Sequence, residues 1–193
     1  MGRPKALLPL HDETFLSRLV RVFAEVCNPV IVVLGYHAQA IGEHLTVLPA
    51  APLIIAVNPV PENGQLSSLQ SGLRAVPADA TGFLFVPVDC PTVKSETVQH
   101  VLSAFGTRPQ DTQFVVPSFA GRHGHPVCAT MQIAQELLAL PPTASAREVV
   151  HAYRAQTVYM DVTDAGILAD IDDPQAYRLL TEMGLTQTSQ KTR

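Results

Sequence analysis

Two acidic stretches place carboxylates where predicted strands end. The first follows the apolar run Phe83–Val88, where Asp89 stands directly before Cys90 and Pro91. An uninterrupted apolar run is typical of a strand buried on both faces, and ligands gather at the carboxyl ends of such strands. A carboxylate in that position can bind a metal ion or a substrate hydroxyl. An aspartate close before a proline also starts turns, and the residue pattern alone leaves both interpretations open.

The second acidic stretch is Asp170–Pro174. On a strand, Asp170 and Asp172 would point to the same face. Two such carboxylates near Asp89 would suit Mg²⁺, a hard cation that prefers oxygen ligands. Asp173 is predicted to cap the helix that begins at Pro174, which leaves Asp172 free for another role.

Two further stretches carry groups suited to a nucleotide. Lys5, just past a Gly turn, can act as a point charge on a phosphate, although an ordinary exposed lysine needs no such role. The loop 63–65 leads into a predicted helix, whose N-terminus favours anions, and Gln65, Ser67 and Ser68 can hydrogen-bond a base. Capping of the helix by Ser67 or Ser68 explains the same residues equally well.

The fourth stretch, Gly121–Pro126, contains Arg122, His123 and His125. Histidines two residues apart are candidates for a metal pair, but the stretch itself contains no third histidine and no cysteine. A hairpin turn shaped for a substrate is therefore the better interpretation.

An alternation of predicted strands and helices must position these residues. Apolar periodicity and the Gly and Pro positions define the elements. The predicted strands are Val30–Leu34, Leu53–Val57, Phe83–Val88, Phe114–Pro117, Val127–Thr130, Thr157–Val162 and Leu168–Ile171. The predicted helices cover about 14–26 with Thr14 as N-cap, 38–45, 66–76, 95–105, 131–140, 145–153 and 174–183. This alternation predicts a three-layer α/β fold with a mostly parallel sheet and one antiparallel strand near Gly121.

Length and composition restrict the class of protein. A chain of 193 residues, 47% hydrophobic and 16% charged, predicts one globular domain over 1–193, with a disordered polar tail at 186–193. The net charge of −4 argues against a general nucleic-acid surface. Three widely spaced cysteines without a CxxC pattern indicate reduced thiols in a cytoplasmic protein. No apolar run reaches membrane-spanning length, so no membrane association is expected.

Six short motifs occur in order along nearly the whole chain. They are Met1–Leu10, Asn58-Pro59, Gly64–Leu69 with Gly72, Val88–Pro91, Gly121–Pro126 and Asp170–Pro174. Each motif is weak by itself, but the ordered set resembles the MobA-like nucleotidyltransferase family. Within that family the chain is most similar to molybdenum cofactor cytidylyltransferases, which typically show a Gly-x-Arg-Gly-His-Pro turn.

The resemblance implies a Rossmann-like fold and a Mg²⁺-dependent enzyme. Such an enzyme moves CMP from CTP, or a nucleotidyl group from another NTP, to the phosphate of a molybdopterin-type cofactor and releases pyrophosphate. A molybdoenzyme or its maturation chaperone would be the protein partner.

The resemblance also implies roles for individual residues. Asp89 and Asp172 would hold Mg²⁺, and Lys5 would act with Asp89 in catalysis by offsetting charge on the triphosphate. The nucleotide side would be lined by Lys5, Gln65, Ser67 and Ser68. The acceptor side would be lined by Arg122, His123 and His125.

Two departures from the family pattern stand out. His123 occupies a position where the cytidylyltransferase subgroup usually has arginine. The family also begins with a buried strand and a Gly-rich loop ahead of Met1-Gly2, and that strand lies between Val30–Leu34 and Phe83–Val88 in the sheet. We therefore expect an N-terminally incomplete domain whose unpaired strand edges make it poorly stable and nearly inactive.

Two other functions stay open on the sequence alone. One is a nucleotidyltransferase of the same fold that uses GTP or a sugar-phosphate acceptor. The other is a nucleotide-binding or partner-binding relic without catalysis. The missing loop favours the relic, whereas the joint presence of Lys5, Asp89 and Asp172 argues against it.

Overall fold

The computed structural model describes residues 3–45 and 52–188. The strands are Pro9–Leu10 (β1), Glu13–Thr14 (β2), Val30–Leu34 (β3), Leu53–Val57 (β4), Gly82–Phe85 (β5), Phe114–Phe119 (β6), Arg122–His123 (β7), Val127–Thr130 (β8) and Thr157–Asp161 (β9). The α-helices are Phe15–Ala24 (α1), Ala38–Leu45 (α2), Gln65–Leu73 (α3), Ser95–Gly106 (α4), Met131–Ala139 (α5), Ala146–Ala152 (α6) and Pro174–Thr188 (α7). Short 3₁₀ helices lie at Lys5–Leu7, Pro61–Asn63, Arg154–Gln156 and Ala165–Leu168.

Strands β5 to β9 form one mixed sheet. β8 pairs antiparallel with both β5 and β6, and β9 pairs parallel with β6. β5, β6 and β9 therefore run in one direction and β8 runs against them, while the two-residue β7 folds back on β6 as a hairpin. The fold is α/β and Rossmann-like, and the antiparallel strand lies at the predicted hairpin.

β3 and β4 form a separate parallel pair. Within the described residues, β3 is hydrogen-bonded only to β4, and β5 only to β8. Helix α1 joins the two sheets, because Leu16 and Val20 pack in one cluster with Val32, whereas Leu19 packs in another with Leu84. The strand expected between β3 and β5 stays a prediction.

Two predicted elements differ from the structure near the acidic stretches. The strand predicted over 168–171 is absent, because Leu168 closes a 3₁₀ helix and Ile171 donates its N–H to the Asp89 carbonyl instead of to a ladder. The strand predicted over 83–88 stops at Phe85, since Pro87 has no N–H to donate. Asp89 therefore follows the strand after a short irregular segment.

The two helix caps predicted from single residues are present. Thr14 Oγ1 accepts the N–H of Ser17 at 3.1 Å at the start of α1. Asp173 Oδ1 accepts the N–H groups of Gln175 and Ala176 at 2.7 and 2.8 Å at the start of α7. α7 continues to 188, so the first three residues of the predicted tail 186–193 are helical, and the rest lie outside the described residues.

Helix α3, which carries the predicted nucleotide residues, is fixed on both sides. Gln70, 2% exposed, donates its amide hydrogens to the carbonyls of Leu137 and Leu140 at 2.8 and 2.9 Å. Gly72 faces β3, where an added Cβ would lie 2.9 Å from Val33 Cγ2, so glycine permits the close approach. In the described part of the chain, no helix has the length and apolar character to cross a membrane.

Candidate active site

The two acidic stretches meet beyond the end of β5. One carboxylate oxygen from each of Asp89, Asp170 and Asp172 lies within 4.8 Å of the other two. The hydrogen bond of 2.9 Å from Ile171 N–H to the Asp89 carbonyl joins the stretches. Ile171 is 5% exposed and packs in the core, so the aspartates on either side of it face outward although the segment is not a strand. The structure thus brings together the predicted pair Asp89 and Asp172, with Asp170 beside them.

Lys5 lies among these carboxylates. Its Nζ donates a hydrogen bond to Asp172 Oδ1 and lies 3.6 Å from Asp89 Oδ2. Burial disfavours the charge of Lys5, but the hydrogen bond to Asp172 and the neighbouring carboxylates outweigh burial and raise the pKa of Lys5 above its ordinary value. The position next to Asp89 and Asp172 is thus occupied by one positive charge, that of the Lys5 ammonium group.

The pKa values of the two exposed aspartates of the cluster, Asp170 and Asp172, are shifted in opposite directions. Burial and the charges of Asp89 and Asp172 raise the pKa of Asp170. The hydrogen bond from Lys5 lowers the pKa of Asp172. Three carboxylates against one ammonium leave an oxygen-rich, negatively charged site, and this donor set fits a hard divalent cation such as Mg²⁺ or Mn²⁺.

Replacing Asp170 with Asn is expected to raise the melting temperature of the metal-free protein at neutral pH and to weaken Mn²⁺ binding. A carboxyl group whose pKa is raised by folding stabilises the fold below its unfolded pKa, and this contribution is lost as pH rises through the folded pKa. The advantage of the variant should therefore vanish in acid, below the ordinary value of 3.8. Because the side chain is exposed, the gain is small. Melting curves across the acid-to-neutral range, with and without Mn²⁺, test it; a lower melting temperature for metal-free Asp170→Asn at neutral pH would contradict it.

A buried carboxylate holds the loops around the cluster in place. Asp164, 4% exposed, accepts hydrogen bonds from Lys94 N–H at 2.9 Å, Thr97 Oγ1 at 2.7 Å and Gly166 N–H at 2.9 Å. It therefore links the 3₁₀ helix that leads to Asp170 with the start of α4, which follows the Asp89 loop. In the sequence Asp164 stands in a Thr-Asp-Ala-Gly turn, and nothing local distinguishes it from a surface aspartate.

Replacing Asp164 with Ala is expected to cost at least about 3 kcal/mol of unfolding free energy. Two backbone N–H groups and a hydroxyl would lose their partner, at about 1–3 kcal/mol each. Asp164→Asn retains one acceptor oxygen and should lose less. Chemical denaturation measures both variants, and a loss below about 1 kcal/mol for Asp164→Ala would show that water replaces the carboxylate.

His125, one of the residues predicted to face the acceptor, lies close enough to Asp89 to feel its charge. Its ring meets the Phe85 ring edge-on with centroids 5.5 Å apart, and its backbone N–H donates to the Ile167 carbonyl at 3.0 Å. Burial lowers the pKa of His125, against the opposing charge of Asp89, so the ring is neutral at neutral pH. Its buried Nδ1 has no hydrogen-bond partner among the described residues. One ring nitrogen is therefore unused.

The other two predicted acceptor residues lie farther out on the hairpin. Arg122 and His123 form β7 and are exposed. The His123 ring stacks on Tyr159 with centroids 3.9 Å apart and 15° between the planes, so it does not pair with His125 around a metal. Gly124 lets the hairpin pack tightly, since an added Cβ would lie 2.2 Å from the Ile167 carbonyl oxygen.

The loop before α3 is organised by Asn58. This residue is 3% exposed; its Oδ1 accepts Val60 N–H at 3.0 Å, and its Nδ2 donates to the hydroxyls of Ser67 and Ser68 at 2.8 and 3.0 Å. The N-cap of α3 is Gly64, with φ 95° and no side-chain cap, so capping by a serine is wrong. The Asn58-Pro59 dipeptide marked this position in the sequence without indicating its role.

The predicted nucleotide residues differ in accessibility. Gln65 is exposed and Ser68 is half-buried. Ser67 is 4% exposed, and its hydroxyl donates to the Gly64 carbonyl at 2.8 Å. Contrary to expectation, Ser67 therefore supports the loop from inside and does not line its surface.

Cys90, beside Asp89, offers no nucleophile. Burial, with the charge of Asp89, raises the pKa of the Cys90 thiol to about 12, so the thiol is protonated at neutral pH. The groups that the site offers are therefore three carboxylates and the Lys5 ammonium, without a thiolate.

Comparison with known proteins matches most of the chain to one family. The model of the MobA-like NTP transferase domain matches residues 1–158. The molybdenum cofactor cytidylyltransferase of Escherichia coli (strain K12) is 24% identical over 178 residues, which cover 92% of this chain and 86% of that protein. A probable molybdenum cofactor guanylyltransferase of Bacillus cytotoxicus is 26% identical over 121 residues, 63% of this chain and 57% of that protein.

Solved structures agree with the sequence comparison. The crystal structure of Rv0371c from Mycobacterium tuberculosis H37Rv has a TM-score of 0.78 and 27% identity, and covers 94% of this chain and 90% of that one. The Rv0371c complex with manganese has a TM-score of 0.73 and 26% identity, with 94% and 93% of the two chains covered. The chain therefore belongs to the MobA-like NTP transferase domain family and is a nucleotidyltransferase.

Proposed function

We propose that the protein transfers CMP from CTP to the phosphate of a molybdopterin-type cofactor and releases pyrophosphate. The observation that carries the proposal is the cluster of Lys5, Asp89, Asp170 and Asp172, an acidic cation site with a built-in ammonium group. The similarity to a cytidylyltransferase over most of both chains supports CTP and this acceptor. Transfer of the product to a molybdoenzyme or its maturation chaperone follows from the same proposal.

The reaction requires positioning and charge neutralisation more than covalent chemistry. An acceptor phosphate oxygen forms a bond to the α-phosphorus of CTP, while the bond from that phosphorus to the bridging oxygen breaks and pyrophosphate leaves with the electron pair. Asp89, Asp170 and Asp172 would hold Mg²⁺, which when bound neutralises charge on the phosphates. Lys5 would exchange its contact with Asp172 for triphosphate oxygens. His125 would face the acceptor from the hairpin, close to Asp89.

The nucleotide would lie against the start of α3. Gln65 is exposed there, and the Ser68 hydroxyl, which accepts a hydrogen bond from Asn58, still has its own hydrogen to donate. Replacing Ser68 with Ala is expected to raise the KM for CTP about fivefold to tenfold, the loss of one neutral hydrogen bond, with a smaller change in the KM for the acceptor. Steady-state kinetics with each substrate varied in turn measure both constants; a larger change for the acceptor would exchange the two sides of the site.

A pyrophosphate-release assay tests the proposed function. The protein is incubated with molybdopterin, Mg²⁺ or Mn²⁺, and either CTP or GTP. We expect release with CTP to exceed release with GTP and to stop when the metal is chelated. Release with GTP alone would favour guanylyl transfer, which the similarity to a probable guanylyltransferase also supports. Binding of nucleotides without any release would favour the inactive relic.

A further inference from the structure

We infer that a cleft lined in part by the hairpin that carries His125 binds the planar ring system of the acceptor. The cleft has a volume of about 190 Å³ and is lined by His123, Val150, His151, Arg154 and Tyr159. We call it the His123 cleft. The inference deepens the proposed function and rests on it, since it assigns a place to the part of the acceptor that does not react.

The walls of the His123 cleft suit a flat heteroaromatic ring. The rings of His123 and Tyr159 are nearly parallel with centroids 3.9 Å apart, and Tyr159 is 40% exposed. Val150, 38% exposed, adds an apolar surface from α6. A planar ligand can extend such a stack, because offset stacking is tolerant of the ring's identity and needs only an exposed aromatic face.

The charges of the cleft favour an electron-rich or anionic ligand. Over the described ranges, the Arg154 guanidinium has no carboxylate partner and no hydrogen bond. Arg154 begins the 3₁₀ helix just after α6, and the last turn of α6 carries His151. A guanidinium is a rigid fork of donors that matches carbonyl and carboxylate oxygens in a plane. Pterins carry such oxygens and ring nitrogens on their edges, whereas a simple sugar offers no flat face to stack.

The hairpin connects this cleft with the reaction centre. His123 and His125 are two residues apart, so their Cα atoms lie at most about 7.6 Å apart. His123 faces the cleft, whereas His125 packs on Phe85 within the electrostatic range of Asp89. One ligand with a ring system at one end and a phosphate at the other can therefore span both. This geometry favours a phosphate-bearing pterin over a sugar phosphate as acceptor.

Binding of pterin-6-carboxylate, followed by its fluorescence, tests the inference without turnover. The variants are Arg154→Ala and Tyr159→Ala, with Tyr159→Phe as the variant that retains the ring. The matched control is Arg74→Ala, an exposed arginine at the far end of α3 from the site. We expect each Ala variant to weaken pterin-6-carboxylate binding about tenfold, equal to about 1.4 kcal/mol, while Tyr159→Phe and Arg74→Ala bind as the wild type does. Binding of CTP with Mn²⁺ should be unchanged in all four.

Three results would overturn the inference. They are no binding of pterin-6-carboxylate to the wild type, a change below about twofold in both Ala variants, and an equal loss of CTP binding, which would place the triphosphate in the cleft. If Tyr159→Ala does not fold, the exposed Arg154→Ala decides alone. Failure of the proposed function is a separate result: pterin binding with the expected dependence on Arg154 and Tyr159, but no pyrophosphate release from CTP.

Discussion

Replacing Asp89 with Asn is expected to reduce metal-dependent pyrophosphate release by about 10³-fold or more, the scale seen when a charged group that stabilises a phosphoryl-transfer transition state is lost. Asp89 is the least exposed carboxylate of the cluster, and its Oδ2 lies 3.6 Å from Lys5 Nζ. Asparagine retains the shape of the side chain but removes its charge. The melting temperature should hardly change, because the link to Ile171 uses the Asp89 backbone carbonyl, which the substitution leaves in place.

An aspartate near the other end of β5 provides a matched control for Asp89→Asn. Asp79→Asn changes an exposed aspartate that precedes β5, at the opposite end of the strand, and should leave activity unchanged. If Asp89→Asn instead lowers the melting temperature strongly, the side chain serves mainly to form the turn after β5. In that case the metal assignment would lose its most buried ligand.

Replacing Lys5 with Met is expected to lower kcat/KM for CTP by about 10²–10³-fold, the usual effect of removing one preorganised positive or hydrogen-bonding group. The ammonium contacts both Asp89 and Asp172, and in the proposed reaction it would meet the triphosphate. Without it, three carboxylates repel one another, so the metal-free variant should melt at a lower temperature than the wild type. Mn²⁺ should bind more tightly, since no internal cation competes for the same oxygens, and should restore the melting temperature.

Titration calorimetry with Mn²⁺ separates this role from a structural one. A variant that loses both activity and Mn²⁺ affinity would show that Lys5 orders the carboxylates, and the assignment to the triphosphate would fail. Lys94→Met is the control, because Lys94 is exposed and its contact with Asp164 uses its backbone N–H, which the substitution retains.

Local residue patterns determined most of the elements. β3, β4 and β8 have the predicted bounds because each is a continuous or alternating apolar run closed by Gly, Asn-Pro or a helix start. The same holds for the cap at Asp173, where one carboxylate satisfies N–H groups two and three residues away. These features depend on hydrogen bonds and burial over a few residues, so the sequence contains them directly.

The position of Asp89 at the end of a strand, and its proximity to Asp172, were also predictable from the sequence. Asp89 follows an apolar run, and the carboxyl end of such a strand is where ligands bind in this class of fold. The pairing of Asp89 with Asp172 followed from the same rule, although it was reached through a strand at 168–171 that the structure does not contain.

Contacts between distant segments were decided only by the tertiary structure. Asp170 joins the cluster because Ile171 is drawn into the core and bonded to Asp89, and Asp164 is buried because two loops close over it. Ser67 and Ser68 are adjacent in sequence, yet Ser67 is turned inward by the Asn58 and Gly64 contacts. The sequence by itself determined which residues can bind a cation or a nucleotide and at which strand ends they stand. Which of them are exposed, and which meet, depended on packing and hydrogen bonds between segments far apart in the chain, and no local pattern encodes those.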